Sequence, residues 1–231
     1  MRSGYGQQHE INHKGAIDLV TEIDYLSEAL ILQELRTAFP EHQVVSEESG
    51  AQLGSDCCLW FIDPLDGTVN YAHNIPIFSV SIAYQEGGEM QLGVVFDPLR
   101  QECFSSERGK GAWLNGAPIY VSQQTNLDQS LLVTGFSYDI RTREKNNLDN
   151  YARLSLHSQG VRRLGSAALD LCYVAAGRFD AFWELSLSTW DIAAGSLIVE
   201  QAGGIVTNAQ GEPDYLNSPQ SIIAANPYIH P

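Results

Sequence analysis

The sequence predicts an α+β protein, and three observations carry the prediction. Apolar residues recur at three-to-five-residue intervals between residues 23 and 39, as on one face of a helix. The run Cys57-Cys58-Leu59-Trp60-Phe61-Ile62 is continuously apolar, as in a strand buried on both faces, and halts at Asp63-Pro64. Residues 78–96 alternate around the Gly-rich turn Glu86-Gly87-Gly88-Glu89, the pattern of a hairpin.

In chain order, residues 1–17 are polar and Gly-containing without periodicity. A helix over 22–38 follows, with Ile23, Leu26, Leu30, Leu35 and Phe39 on its apolar face, Thr21 and Asp24 as a capping box, and Pro40 beyond its end. Residues 43–46 form a short strand leading into Glu47-Glu48-Ser49-Gly50. After the 57–62 strand and the hairpin, residues 103–105 extend the meander. Ser166 caps a buried helix that closes at Gly177. A strand over 179–185, a helix over 191–202 stopped by Gly203-Gly204, and strands over 205–207 and 221–225 complete the chain. No repeat or low-complexity linker divides residues 1–231, so a sub-boundary is expected only in the turn-rich stretch 122–130.

Composition narrows function before any motif is read. A chain of 231 residues, 44% of them hydrophobic, has room for one or two compact domains and is not a disordered or fibrous polymer. Asp and Glu outnumber Lys and Arg by 28 to 13, and a net charge of -15 repels phosphodiester backbones, so no nucleic-acid partner is expected. Apolar stretches fall short of the roughly 20 residues of a membrane span. The opening Met1-Arg2-Ser3-Gly4-Tyr5-Gly6 lacks the apolar core of a secretory signal, so a cytoplasmic protein without membrane contact is expected. Cys57, Cys58, Cys103 and Cys172 lack C-x-x-C spacing, which leaves them as reduced thiols acting as small core hydrophobes.

The chemistry lies in the carboxylates. Asp63-Pro64-Leu65-Asp66-Gly67-Thr68 sets two acids three residues apart at the end of a buried strand, where Pro64 extends the backbone before it and Gly67 permits a sharp turn. Hard divalent cations need such oxygen clusters, and the Leu65 carbonyl between the acids is a further donor. The same residue types are also common turn formers, Glu47-Glu48 is also a solvated acidic pair, and Asp24 and Asp191 are also favourable first-turn acids. Spacing alone leaves these alternatives open.

Taken together, Asp18-Leu19-Val20-Thr21-Glu22-Ile23-Asp24, Glu47-Glu48-Ser49, Trp60-Phe61-Ile62-Asp63-Pro64-Leu65-Asp66-Gly67-Thr68-Val69-Asn70-Tyr71 and Trp190-Asp191-Ile192-Ala193-Ala194-Gly195 resemble, in order and separation, the signature set of the inositol monophosphatase family. The likeness runs from Asp18 to Ala225 and includes Leu114-Asn115-Gly116 and Gly165-Ser166-Ala167-Ala168. It implies a layered αβαβα sandwich of the inositol monophosphatase and fructose-1,6-bisphosphatase type, with a metal-site N-terminal half and a substrate C-terminal half. It also implies Mg²⁺-dependent, Li⁺-sensitive hydrolysis of a small phosphorylated metabolite by a cytoplasmic homodimer.

By the same resemblance, Glu47, Asp63 and the Leu65 carbonyl hold one Mg²⁺, and Asp63, Asp66 and Asp191 a second. One ion activates water and the other stabilises the leaving oxygen. Glu48 is either solvated or near a weaker third site. Thr68 and Asp24 form the water-activating pair, with the capping role of Asp24 secondary; Glu47 belongs to the same catalytic group. The Gly67 and Thr68 amides receive the phosphate, and Glu184 and Ala167 contact inositol hydroxyls. His73 has no role at a carboxylate site, and a phosphate role for Lys14 departs from the family spacing.

The Asp-Gly-Thr-Val-Asn-Tyr run at 66–71 lies closest to inositol monophosphatases, although Val69 replaces a frequent Thr; the absence of Lys at position 69 turns away from histidinol phosphatases and nucleotide phosphatases. Fructose 1,6-bisphosphate, 3'-phosphoadenosine 5'-phosphate, histidinol phosphate and NADP remain the alternative substrates. Some family members associate with transcription complexes, so a regulatory protein that kept the fold is the non-enzymatic alternative. Both terminal helices usual in the family look trimmed.

Overall fold

The structure, a computed structural model, describes residues 1–13, 15, 18–52, 54–217 and 220–231, without the side chains of His13, Ser55 and Asp56. Lys14 lies outside the described residues. The helices are α1 (Glu22–Ala38), α2 (Thr68–Ala72), α3 (Leu148–Ser155), α4 (Ala167–Ala175) and α5 (Thr189–Gln201). They layer with two sheets as expected: α1, an eight-stranded sheet, the α4–α5 pair, a five-stranded sheet, then α3. In the larger sheet the strands run Ala117–Ile119, Ala112–Leu114, Glu102–Glu107, Glu89–Asp97, Ser79–Glu86, Ser55–Asp66, His42–Ser46 and Gly50–Gln52. The smaller sheet runs Gly160–Arg162, Leu131–Thr134, Ala181–Leu185, Ser221–Ala225 and Ile205–Thr207. The main core lies between the sheets, where α4 and α5 pack Leu169, Leu171, Ile192, Leu197 and Ile198 against Val95, Phe104 and Phe182.

Several sequence expectations need correction. Leu26 and Leu30 of α1 are exposed; the face turned inward carries Asp24, Glu28 and Leu32. Polar residues take that face because each has a partner below it. Glu28 Oε1 accepts from Ser49 N at 3.1 Å and Ser49 Oγ at 3.2 Å, and Asp24 reaches Thr68. Hydrogen bonding to these partners overrides the amphipathic pattern here.

The apolar strand does not halt at Asp63-Pro64 but runs to Asp66. Asp63 pairs with Ser81 and Asp66 with Ser79, so three steps oppose two and the extra residue makes a bulge. Pro64, which has no N–H for the ladder, sits within that bulge. The strand expected from 179 begins at Ala181, because the Arg178 and Phe179 amides are bonded back to Tyr173 O near the end of α4. The last helix begins at Thr189, since Ser188 and Asp191 form its capping box. Of the four thiols only Cys172 is buried; Cys57 is exposed, and Cys58 and Cys103 are half-buried.

Candidate active site

The residues singled out in the sequence line one cleft of about 800 Å³, whose walls include Glu47, Asp63, Leu65, Asp66, Gly67, Thr68, Ala167, Glu184 and Asp191. Asp24 is fully buried directly behind Thr68. Glu48 is half-buried and His73 exposed, and neither is on the cleft wall.

Each acid is positioned by its own stretch of chain. The Glu47 amide donates to Ile62 O at 3.1 Å, which lays the residue beside the end of the Ser55–Asp66 strand. Asp63 Oδ1 accepts from Leu65 N at 3.0 Å across the bulge. Asp66 Oδ2 accepts from Ser166 Oγ at 2.6 Å and Ala168 N at 2.8 Å, so the start of α4 grips it from the far side. Asp191 Oδ2 accepts from Ser188 N at 2.7 Å within the α5 cap. Gly67 turns the chain with φ 97°, and a Cβ there would sit 3.0 Å from Ile77 O and 3.2 Å from Gly165 O. Only glycine meets both demands.

Asp24 caps α1 with one carboxylate oxygen and meets Thr68 with the other. Oδ2 accepts from Thr21 N at 2.9 Å and Thr21 Oγ1 at 2.6 Å, closing the capping box. Oδ1 lies 2.9 Å from Thr68 Oγ1, which also lies 3.0 Å from Leu65 O. The one hydroxyl proton of Thr68 goes to one of these acceptors at a time.

Burial dominates the electrostatics. It pushes the Asp63 carboxyl well above the usual range, and Glu47, Asp66 and Asp191 push in the same direction. Asp66 rises to about 6 through burial, held back by the Ser166 and Ala168 bonds. Burial also raises Asp24, against the bonds from Thr21 and Thr68. Glu184 rises to about 8, from burial first and then from Asp191 and Asp66, with Arg163 opposing. It is packed so closely on Gly135 that a Cβ at that position would overlap its carboxylate.

Among the described residues no three His, Cys, Asp or Glu side chains are gathered into a ready metal cage. The donor set nevertheless has the chemistry of a hard-cation site: four carboxylates and the Leu65 carbonyl on one wall, all oxygen. Three of those acids, Asp63, Asp66 and Asp191, have one oxygen anchored to the protein, which orients each group before any cation arrives.

Sequence reasoning missed Gly135, Phe136, Tyr138, Arg163 and Asp170, all on the cleft wall. Most come from loops of the smaller sheet and leave no local pattern. Asp170 did leave a signal, as the single charged residue in the run Ala-Ala-Leu-Asp-Leu-Cys-Tyr-Val-Ala of α4.

A protein from Pseudomonas aeruginosa named Nus factor SuhB is 48% identical over 94% of this chain and 81% of its own length. An inositol-1-monophosphatase from Synechocystis is 46% identical over 98% of this chain and 79% of its own. The solved structure of inositol monophosphatase from Anabaena (Nostoc) superposes with a TM-score of 0.86 at 47% identity, covering 90% of this chain and 82% of that one. The inositol monophosphatase family profile matches residues 1–231, and the chain belongs to that family.

Proposed function

We propose that the chain is a Mg²⁺-dependent phosphatase of small phosphate monoesters that prefers inositol monophosphate and releases inositol and phosphate. The observation that carries this reading is the buried Asp24–Thr68 pair opening onto a cleft wall of four carboxylates and a carbonyl. Glu47, Asp63 and the Leu65 carbonyl are assigned to one Mg²⁺ and Asp63, Asp66 and Asp191 to a second; Glu48, off the cleft wall, is given no metal. Bound there, the ions supply Lewis-acid chemistry: they offset phosphoryl charge and acidify water.

The remaining steps belong to the chain. With Oδ2 tied to Thr21, Asp24 keeps Oδ1 for Thr68, so the hydroxyl presents a lone pair to a water while Asp24 drains the proton. The Gly67 and Thr68 amides receive phosphate oxygens. Ala167 and Glu184 meet the alcohol's hydroxyls from across the cleft. The Thr68–Asp24 pair is assigned to orienting water rather than to attacking the phosphorus itself, so the proposed attack is direct and forms no covalent intermediate. The proposed assembly is a homodimer.

Phosphate release from inositol 1-phosphate, fructose 1,6-bisphosphate, 3'-phosphoadenosine 5'-phosphate, histidinol phosphate and NADP, with and without Mg²⁺, tests this. A Mg²⁺-dependent preference for inositol 1-phosphate is expected; no release from any of them by folded protein overturns it. The relatives named Nus factor favour one second reading, a factor whose role needs the fold and not turnover. Asp63→Asn separates the two: turnover collapses, while a role as a factor persists.

A further inference from the structure

Asp170 stands in the first turn of α4, where every residue from Ala168 to Ala175 is buried. It is 1% exposed, and its Oδ1 has no hydrogen-bond partner in the protein. A leucine there would cost nothing in desolvation, whereas a buried carboxyl with an unmet oxygen does. Yet Asp170 lines the cleft. Glu184, 7% exposed, lines the same space from the neighbouring strand. Among the described residues Arg163 is the one basic side chain on that wall, with its guanidinium over the Phe136 ring, 5.7 Å from the centroid.

We propose that Asp170 is a specificity-determining residue, which together with Glu184 and Arg163 reads the alcohol half of the substrate by accepting a hydrogen bond from a hydroxyl of an uncharged polyol. The inference rests on the phosphatase reading above and deepens it. The hydrogen-bonding capacity of the three residues decides the ligand class. A second phosphate on the alcohol would set its oxygens against the unpartnered Asp170 oxygen, and the Arg163 guanidinium would oppose an ammonium. A hydroxyl donates to a carboxyl oxygen and accepts from a guanidinium, so it suits both kinds of partner at once. Burial raises both carboxyls, each of which also feels Asp66; Glu184 adds to the rise at Asp170, and Arg163 opposes it at both. The two ends of the cleft are also tied mechanically. Ser166 and Ala168 of the α4 start grip Asp66, and Asp170 follows within the same turn, so one rigid element sets the alcohol against the phosphate site.

The near-isosteric Asp170→Asn variant of the full chain, assayed with Mg²⁺, tests the proposal. Its unfolding temperature establishes that it folds. With inositol 1-phosphate KM should rise about tenfold while kcat changes little, because an amide oxygen accepts more weakly than a carboxylate and the new NH2 sets a second donor against the hydroxyl. With p-nitrophenyl phosphate, which has no ring hydroxyl, both constants should stay put, and KM for fructose 1,6-bisphosphate should fall. Equal changes for all three substrates, or none for inositol 1-phosphate, overturn the proposal. The rim variant Arg163→Gln should lower KM for histidinol phosphate, whose ammonium it no longer repels; an unchanged KM removes Arg163 from the proposal. If the unaltered protein hydrolyses none of these esters, the phosphatase reading fails by itself. The proposal is then judged by binding: inositol 1-phosphate with Mg²⁺ should raise the unfolding temperature of the unaltered chain more than that of Asp170→Asn, and equal shifts overturn it.

Discussion

The two ends of the cleft are built on different principles. At the proposed metal end, Asp24, Asp63, Asp66 and Asp191 each have an oxygen fixed by a hydroxyl or backbone amide, at 2.6 to 3.0 Å. At the alcohol end, Asp170 Oδ1 has no partner and Glu184 leans on a bare glycine. The first end is set in place by the fold. The second leaves buried polar capacity for whatever binds to satisfy. Changes at the metal end should therefore alter rate, and changes at the alcohol end should alter which substrate is preferred.

The largest effect expected is at the metal end. Thr68→Ala removes the hydroxyl held by Asp24 and should lower kcat by about 10²–10⁴-fold in a phosphate-release assay, the usual range for a lost acid–base partner. Thr68→Ser should recover much of it. Gly135→Ala attacks the other end by pushing a Cβ into the Glu184 carboxylate, a flexible group that can swing away without unfolding the chain. Catalytic efficiency toward inositol 1-phosphate should drop by about 10²-fold, as for a displaced positioning group, with p-nitrophenyl phosphate spared. If both substrates suffer alike, the division between the ends is wrong. Ser166→Ala sits on the seam. It removes the 2.6 Å donor to Asp66 and the N-cap of α4. The Mg²⁺ concentration needed for half activity should rise about 10–100-fold, with stability falling by about 1 kcal/mol in denaturant unfolding.

The same division explains what the sequence made legible. Asp63, Asp66, Gly67 and Thr68 lie within six consecutive residues, and the turn at the positive-φ Gly67 was readable locally, whereas the bulge that carries the strand past Pro64 to Asp66 was not. Helix caps at Thr21 and Ser166 were equally visible. The packing of α1 was not, because Asp24 and Glu28 turn inward to partners at Thr68 and Ser49, 44 and 21 residues away. Arg163, Gly135 and Asp170 meet only through the fold of the smaller sheet and α4, so no spacing rule joins them. A lone acid inside an apolar helix was the one hint available, and it marks a buried carboxyl with an unmet oxygen that needs a reason.

The smallest effect expected is on stability, and its sign distinguishes a buried neutral Glu184 from an ion-paired one. Burial, then Asp191 and Asp66, lift its carboxyl from 4.5 to about 8. The folded chain thus holds this proton more tightly than the unfolded chain does. Below the unfolded value both forms are protonated and the contribution to stability is fully present. As pH rises from about 4.5 the unfolded chain ionises first, so stability falls, and the contribution is lost as pH passes through about 8. Glu184→Gln, which cannot ionise, should make the decline of unfolding temperature across that window shallower in metal-free protein. Asp66, raised to about 6, keeps a residual slope of the same sign at the lower end of the window. Added Mg²⁺ should flatten the unaltered protein as well, since cations held by Asp66 and Asp191 offset two of the charges that lift Glu184. A Gln variant whose decline matches the unaltered chain would mean that Glu184 is already paired when folded, and the alcohol end would then be as fully braced as the metal end.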